Sequence, residues 1–343
     1  MTTAMANQGA IQVQQFTVIM TVATSLICSI LSIVLNTLNI MVACSDQLNF
    51  PISNSVAIVS MSLGDIIIGL STIMRFSLGS WARLICRVHL ILSVTGVRVS
   101  IVSLILIIVD RYVAIVHPFA HRRFATKRFC IVLVIVMWAL TTFANVLENA
   151  TGTYFYDPNR RLCDVQVSIT RVVVSTTLLY FIPLTTMLVI YTHLLVVVRR
   201  MVREIARVQP IRDYSISIHD QGVYPCSDVS LPSDPGPRPR IEIQERPNAH
   251  ALRQNDHTGQ YKLILTFFAV TAAFTVTTIP NRIVRLVALY KGPQAVSSGA
   301  TLFCRMLVIS GSWLNFVIFS VMNHNFRRTL KHILRRRCSA HCC

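Results

Sequence analysis

Residues 101–119 read Ile-Val-Ser-Leu-Ile-Leu-Ile-Ile-Val-Asp-Arg-Tyr-Val-Ala-Ile-Val-His-Pro-Phe. They close a continuous apolar run over residues 84–116, which exceeds the roughly 20 residues a helix needs to cross about 30 Å of hydrocarbon. An arginine at such an edge can simply snorkel to the headgroups, but here it follows an acid and precedes an aromatic ring. Windows of the same kind recur at 17–43, 53–77, 128–148, 169–198, 259–290 and 300–322, giving seven spans in all. The composition agrees. The 343 residues are 53% hydrophobic and 13% charged, with a mean hydropathy of +0.57. Soluble chains carry roughly 25% charged residues, so there is too little charge to cover two soluble domains. The expected fold is an all-α membrane protein, a bundle of seven transmembrane helices. No early window has the basic start and small-residue cleavage site of a signal peptide, so the first span is expected to act as its own signal.

The remaining charge is lopsided, with 32 Lys and Arg (28 of them Arg) against 14 Asp and Glu, a net +18. A nucleic-acid binder would gather such an excess on a solvated face. Here the basic residues lie between apolar runs, so no nucleic-acid partner is expected, and the excess reads as membrane topology. Residues 1–16 contain no Lys or Arg. With that end outside, the inside segments 44–52, 117–128, 199–262 and 323–343 hold 0, 4, 10 and 6 basic residues, and the outside loops hold five. The bias places the N-terminus outside. The sequon Asn149-Ala150-Thr151 then falls outside as well, a candidate for glycosylation at Asn149.

Three segments flank or interrupt the spans: an extracellular tail at 1–16, a long inside loop at 203–257 and a tail at 323–343. The loop is rich in Pro, Ser, Asp and Arg and cannot bury enough surface to offset its ordering entropy. It is expected to be disordered, with its ends extending the fifth and sixth spans. In the tail, Phe326, Leu330, Ile333 and Leu334 recur at helical spacing between Arg327, Arg328, Lys331, Arg335 and Arg336. That pattern describes a short amphipathic eighth helix lying against anionic membrane lipid.

Asp110-Arg111-Tyr112 followed by His117-Pro118-Phe119 resembles the signature of rhodopsin-like (class A) G-protein-coupled receptors. Other positions carry the same resemblance. Asn36 stands in span one, and Ser60-Met61-Ser62-Leu63-Gly64-Asp65 in span two. Trp138 stands in span four, Pro183 and Tyr191 eight apart in span five, and Phe274 and Pro280 six apart in span six. Cys86 lies 25 residues before Arg111, and the resemblance implies a disulfide from it to Cys163 in the second outside loop. It further implies an extracellular ligand, a heterotrimeric G-protein partner, a plasma-membrane location and no enzymatic role. No metal-spaced His/Glu cluster or nucleophile–base pair suggests otherwise. In this reading Asp110 neutralises Arg111 at rest. Movement of helix six then frees Arg111 to meet Tyr191, with Tyr112, Phe274, Pro280, Asn315 and Phe319 completing the switch. Asp65, Ser100, Ser312 and Asn315 match the family's sodium site, whose oxygen donors suit a hard cation; a hydrogen-bonded cluster without an ion is the alternative. No other cofactor or metal is expected.

Departures from the family pattern are equally informative. The span-seven motif reads Asn315-Phe316-Val317-Ile318-Phe319, without its Pro and Tyr, and Thr278 replaces the span-six Trp. The stretch 258–262, Thr-Gly-Gln-Tyr-Lys, lacks the acid that locks helix six to the arginine in many members. Raised ligand-independent activity, or a degenerate receptor-like protein, is therefore the alternative reading; a transporter or channel lacks supporting motifs. Seven residues after Cys86, where amine receptors carry Asp, stands Ser93, and span seven has no Lys for retinal. Instead Arg75, Arg282, Arg285 and Arg305 lie toward the outside ends of spans two, six and seven. Together with Ser93 they are candidates to line a pocket for an anionic peptide, lipid or nucleotide, the alternative being headgroup snorkelling or pairing with Glu148 or Asp164. Arg98, deeper in span three, is expected to pair with Glu148. Cys338, ahead of Cys342 and Cys343, is a candidate for palmitoylation.

Overall fold

The computed structural model describes residues 2–45, 51–76, 82–150, 152–157, 162–166, 168–219 and 249–341. Helix α1 (Thr2–Ala43) is followed by α2 (Ile52–Met74) and α3 (Ala82–Val116). Pro118 ends α3, since the residue before a proline is driven from helical geometry. His117 adopts φ −129° and ψ 63°, and Pro118 opens the short α4 (Pro118–Phe124). In α5 (Lys127–Asn149) the Thr126 hydroxyl caps the first turn by accepting from the Phe129 N–H at 3.3 Å. Next come β1 (Thr153–Asp157), β2 (Leu162–Gln166), α6 (Ile169–Thr176), a π turn at Thr177–Phe181 and α7 (Ile182–His219). The π turn ends two residues before Pro183, which has no N–H to donate to the preceding turn. Helix α8 (Ala249–Lys291) contains Pro280 and stops at Gly292, whose φ of 86° favours a residue without Cβ. Ser297 caps α9 (Ser298–Met322), and α10 (His324–His341) completes the chain.

Seven of these stretches are long and apolar enough to cross a membrane: Val18–Ala43, Ile52–Met74, Leu84–Val116, Lys127–Asn149, Ile169–Met201, Tyr261–Lys291 and Gly299–Met322. Their order and number match the sequence reading, and α10 supplies the eighth helix. Apolar side chains point outward where lipid would lie, with Ile27, Ile30, Phe143, Val189 and Val321 all more than half exposed. Within α10, Phe326 is buried against Phe319 and Phe316, ring centroids 5.8 Å apart in both pairs.

Three segments add to the seven spans, and the helical ends of the long loop extend the fifth and sixth spans as expected. The tail at 1–16 is helical from Thr2 onward. The loop at 203–257 is helical over 203–219 and 249–257, and 220–248 lie outside the described residues. Residues 202–208 hold Val, Arg, Glu, Ile and Ala without a proline, which lets α7 propagate that far, and the helix continues past Pro210 to His219. Among the described residues one strand pair interrupts the helices: β1 and β2 are antiparallel, with Tyr156 opposite Cys163.

The chain divides into two compact units, Met1–Tyr191 with Ile264–Cys343, and Thr192–Leu263. In the second, an Arg199 guanidinium N–H donates to Tyr261 Oη at 3.5 Å. In the first, the tightest helix contact joins α2 to α3. A Cβ on Gly96 would lie 2.7 Å from the Gly64 carbonyl oxygen and 2.6 Å from Ile68 Cγ1. Only hydrogen at residue 96 permits that approach.

Candidate functional site

All the chemistry described next belongs to the first unit. At the C-terminal end of α3, Asp110 Oδ2 accepts from Arg111 Nε at 3.0 Å and from a second guanidinium nitrogen. Its other oxygen lies 2.9 Å from His121 Nε2, presented by α4. Arg111 is 2% exposed, and a buried guanidinium without a counter-ion would be costly. Tyr112 meets His117 edge to face at 6.5 Å. Tyr191 is fully buried, with its hydroxyl accepting from Thr271 at 3.4 Å and its ring edge-on to Phe268. Phe319 is buried edge-on to Phe267, where a Tyr would add a hydroxyl. Phe274 is buried one turn above Thr271, and the Thr278 hydroxyl donates back to its carbonyl. Pro280 follows two residues later.

Midway along the bundle, Asp65 is 2% exposed and both carboxylate oxygens are engaged. Ser100 Oγ donates to Oδ1 at 3.0 Å and Asn315 Nδ2 to Oδ2 at 2.8 Å. Ser312 is buried beside them, and its carbonyl accepts from Asn36 Nδ2 at 2.8 Å. Asn36 thereby ties α1 to α9, while Ser32 donates to the Asp65 carbonyl. A second polar knot joins three helices: Trp138 Nε1 donates to Ser60 Oγ at 3.0 Å, which lies 2.9 Å from Ser103 Oγ. The donor set around Asp65 is rich in oxygen, which is the chemistry a hard monovalent cation requires.

At the opposite end from Arg111, a disulfide joins Cys86 of α3 to Cys163 of β2, Cα atoms 5.4 Å apart. Ser93 Oγ lies 2.9 Å from Ser71 Oγ and 3.2 Å from His89 Nδ1. Arg75 is 6% exposed and stacks 4.6 Å over Phe76; its charge and that of Arg305 both act on His89. Arg98 pairs with Glu148 of α5. Arg282 stacks 3.7 Å over the Tyr180 ring and donates to its hydroxyl, and it feels the charges of Arg285, Arg98 and Glu148. Arg285 and Arg305 are half-buried. The five candidate pocket residues thus fall into two groups. Arg75, Ser93 and Arg305 gather around His89, and Arg282 and Arg285 gather with Arg98 and Glu148.

The remaining candidates lie apart. Asn149 is the last residue of α5, and its amide donates to the Asn145 carbonyl and to Asn145 Oδ1, both at 2.8 Å; Thr151 of the sequon lies outside the described residues. Cys338 falls in α10 with its side chain outside the described set, as do Cys342 and Cys343 entirely. The reading of the sequence missed His121, Tyr180 and His89. His121 alone had a local signal, as a titratable group one short helix beyond Asp110.

The family description "7 transmembrane receptor (rhodopsin family)" matches residues 35–319. The chain belongs to that family. The fold of this receptor is also that of squid rhodopsin, with a TM-score of 0.72 and 16% identity over 94% of this chain and 87% of that one. Its sequence is 23% identical to Dopamine receptor 1 of Drosophila melanogaster over 313 residues, 83% of this chain and 56% of that protein. It is 21% identical to the Histamine H2 receptor of Canis lupus familiaris, over 84% of this chain and 70% of that protein. With 5-hydroxytryptamine receptor 2C of the same species it shares 25% identity, over 82% and 64%. The receptor therefore spans little more than half the length of the first of these relatives.

Proposed function

We propose that this receptor lies in the plasma membrane with its N-terminus outside, binds an extracellular anionic ligand and activates heterotrimeric G proteins through movement of α8 about Pro280. One observation carries the ligand's sign: four arginines, Arg75, Arg282, Arg285 and Arg305, lie toward the end of the bundle that holds the Cys86–Cys163 disulfide, and a fifth, Arg98, lies deeper, midway along α3. An anionic peptide, lipid or nucleotide would relieve that excess. The relatives are named for amines, but Ser93 offers a hydroxyl already engaged with Ser71 and His89 rather than a carboxylate. The ligand biases a two-state bundle, and Asp110 holds Arg111 in the resting state.

A specific observation favours a second reading, high activity without ligand: residues 258–262 contain no acid, and Phe319 and Thr278 replace the residues usual in the family. Guanine-nucleotide exchange measured on cells expressing the receptor is expected to exceed that of empty-vector cells before any ligand is added, and to rise further with a ligand from an anionic panel. A baseline equal to the vector control would remove the second reading, and silence across the panel would remove the first.

Asp65, Ser100, Ser312 and Asn315 are proposed to hold sodium. Replacing potassium by sodium at constant ionic strength should raise the thermal midpoint of the purified receptor, about 2–4 °C for each kcal/mol of binding linkage in a chain of ordinary domain size. Asp65→Asn should abolish the difference. Equal midpoints in the two salts, with Asp65→Asn also silent, would leave only the hydrogen-bonded cluster.

A further inference from the structure

Arg98 is the least satisfied of the buried cations. It is 4% exposed and Glu148 takes one of its nitrogens, while Nε and Nη1 have no hydrogen-bond partner. Arg282 repeats the pattern. One guanidinium N–H donates to the Tyr180 hydroxyl, the guanidinium stacks over the Tyr180 ring, and its Nε has no partner. Arg282 feels Arg98 and Arg285 as like charges and Glu148 as the opposing carboxylate. Three guanidiniums therefore share one carboxylate in a site walled by α3, α5, the π turn and α8. An uncompensated buried charge costs several kcal/mol, and guanidinium donors aimed at no acceptor add to that cost.

From this we infer that Arg98 and Arg282 form the acid-binding floor of the pocket, and that Glu148 is a resident counter-ion sharing Arg98 with the ligand's oxyanion. This rests on the proposed anionic ligand and narrows it. The acid group is a carboxylate or phosphate seated deep in the bundle, since Arg98 lies 12 residues beyond Cys86 in sequence, or about 18 Å along a helix. The rest of the ligand then extends toward the group of Arg75, His89 and Arg305. Arg98 supplies N–H donors and charge, and Tyr180 holds the Arg282 plane by stacking and by accepting its N–H. Glu148 keeps the site from collapsing electrostatically when it is empty, and it weakens any anion that enters.

The probe is inorganic phosphate, titrated against chloride at constant ionic strength into the purified full-length receptor while the thermal midpoint is followed. In the wild type the midpoint rises with phosphate. Arg98→Gln should move the half-effect concentration up by roughly ten- to a hundredfold, the loss expected for a charge-assisted bond. Glu148→Gln should move it down by about tenfold, because the competing carboxylate is gone. If Arg98→Gln fails to fold because it strands Glu148, the double variant Arg98→Gln/Glu148→Gln, which removes both charges together, should reach the cell surface and remain blind to phosphate. Wild-type titrations in Arg98→Gln or in the double variant would overturn the assignment. So would stabilisation by propylammonium that Glu148→Gln abolishes, since the site would then take a cation. The titration involves no G protein. Its failure beside ligand-driven nucleotide exchange would remove the floor and leave the receptor reading, whereas its success beside silent exchange would do the reverse.

Discussion

Gly96→Val is expected to all but remove the receptor from the cell surface. The new Cβ would start 2.7 Å from a backbone oxygen of α2 and 2.6 Å from Ile68 Cγ1, and the two γ-methyls have less room still. A flexible side chain could step aside, but the Gly64 carbonyl is fixed in the hydrogen-bonding of its own helix. Relief must come from prying α2 and α3 apart. Overpacking a core typically costs 1–3 kcal/mol, occasionally more, and here about 3 kcal/mol or more is expected because backbone meets backbone. Against a total stability of about 5–15 kcal/mol, that is a large share. The same separation would disturb Ser100, one turn beyond, and with it the Asp65 cluster. Gly299→Ala is the control: a Cβ there meets nothing within 4 Å, so surface level and thermal midpoint should stay at wild type. Normal surface expression of Gly96→Val with an unchanged midpoint would show that α2 and α3 are not held as closely as described.

The second large effect concerns signalling. Asp110→Ala should raise nucleotide exchange per surface receptor by at least tenfold over the unliganded wild type. The substitution takes away the paired contacts to a guanidinium that is 2% exposed, and the histidine contact with them. Removing one partner of a buried pair costs 3–5 kcal/mol of whichever state contains it. Asp110 is 13% exposed, so solvent should spare part of that loss. A residue of about 1.4 kcal/mol is already tenfold in a two-state ratio. His121→Ala removes a single contact and should move the baseline by a smaller factor, near the roughly 1 kcal/mol of one hydrogen bond. Arg111→Ala should silence exchange, which separates release of the arginine from a general loosening of the bundle. A wild-type baseline in Asp110→Ala at normal surface level would sink this account of the resting state.

Most of the fold was legible because a membrane span is a local property. Twenty apolar residues announce themselves without reference to anything else in the chain, and α3 at Leu84–Val116 has the limits read from its hydropathy. The hairpin at β1 and β2 was missed although Thr-Tyr-Phe-Tyr-Asp at 153–157 is rich in strand-favouring residues. Two strands of five residues carry far less signal than a span. The polar side chains divide along the same line. Asp110 and Arg111 are adjacent in sequence, so their pairing needed no fold to be anticipated. Trp138 with Ser60, or Tyr180 with Arg282, are 78 and 102 residues apart, and only the packed bundle brings them together. Arg98 and Glu148 were anticipated because a mid-span arginine must find an acid and few acids lie in the spans. That Glu148 leaves two of its nitrogens unbonded could be seen only from geometry.

The π turn at Thr177–Phe181 has a bearing on how this chain should be aligned with its relatives. The Ile182 N–H reaches back to the Thr177 carbonyl, so the turn seats one residue more than an α-helical turn does. A gap of one residue placed there costs little in register: the turn relaxes to α geometry, and α7 keeps its facing beyond it. The same gap placed anywhere else in α6 or α7 would rotate every later side chain by about 100° and carry Tyr191 out of the core. Insertions and deletions between this receptor and other family members are therefore best assigned to the five residues before Ile182. Tyr180, which sits on that turn beneath Arg282, is then the position whose counterpart is hardest to name by counting.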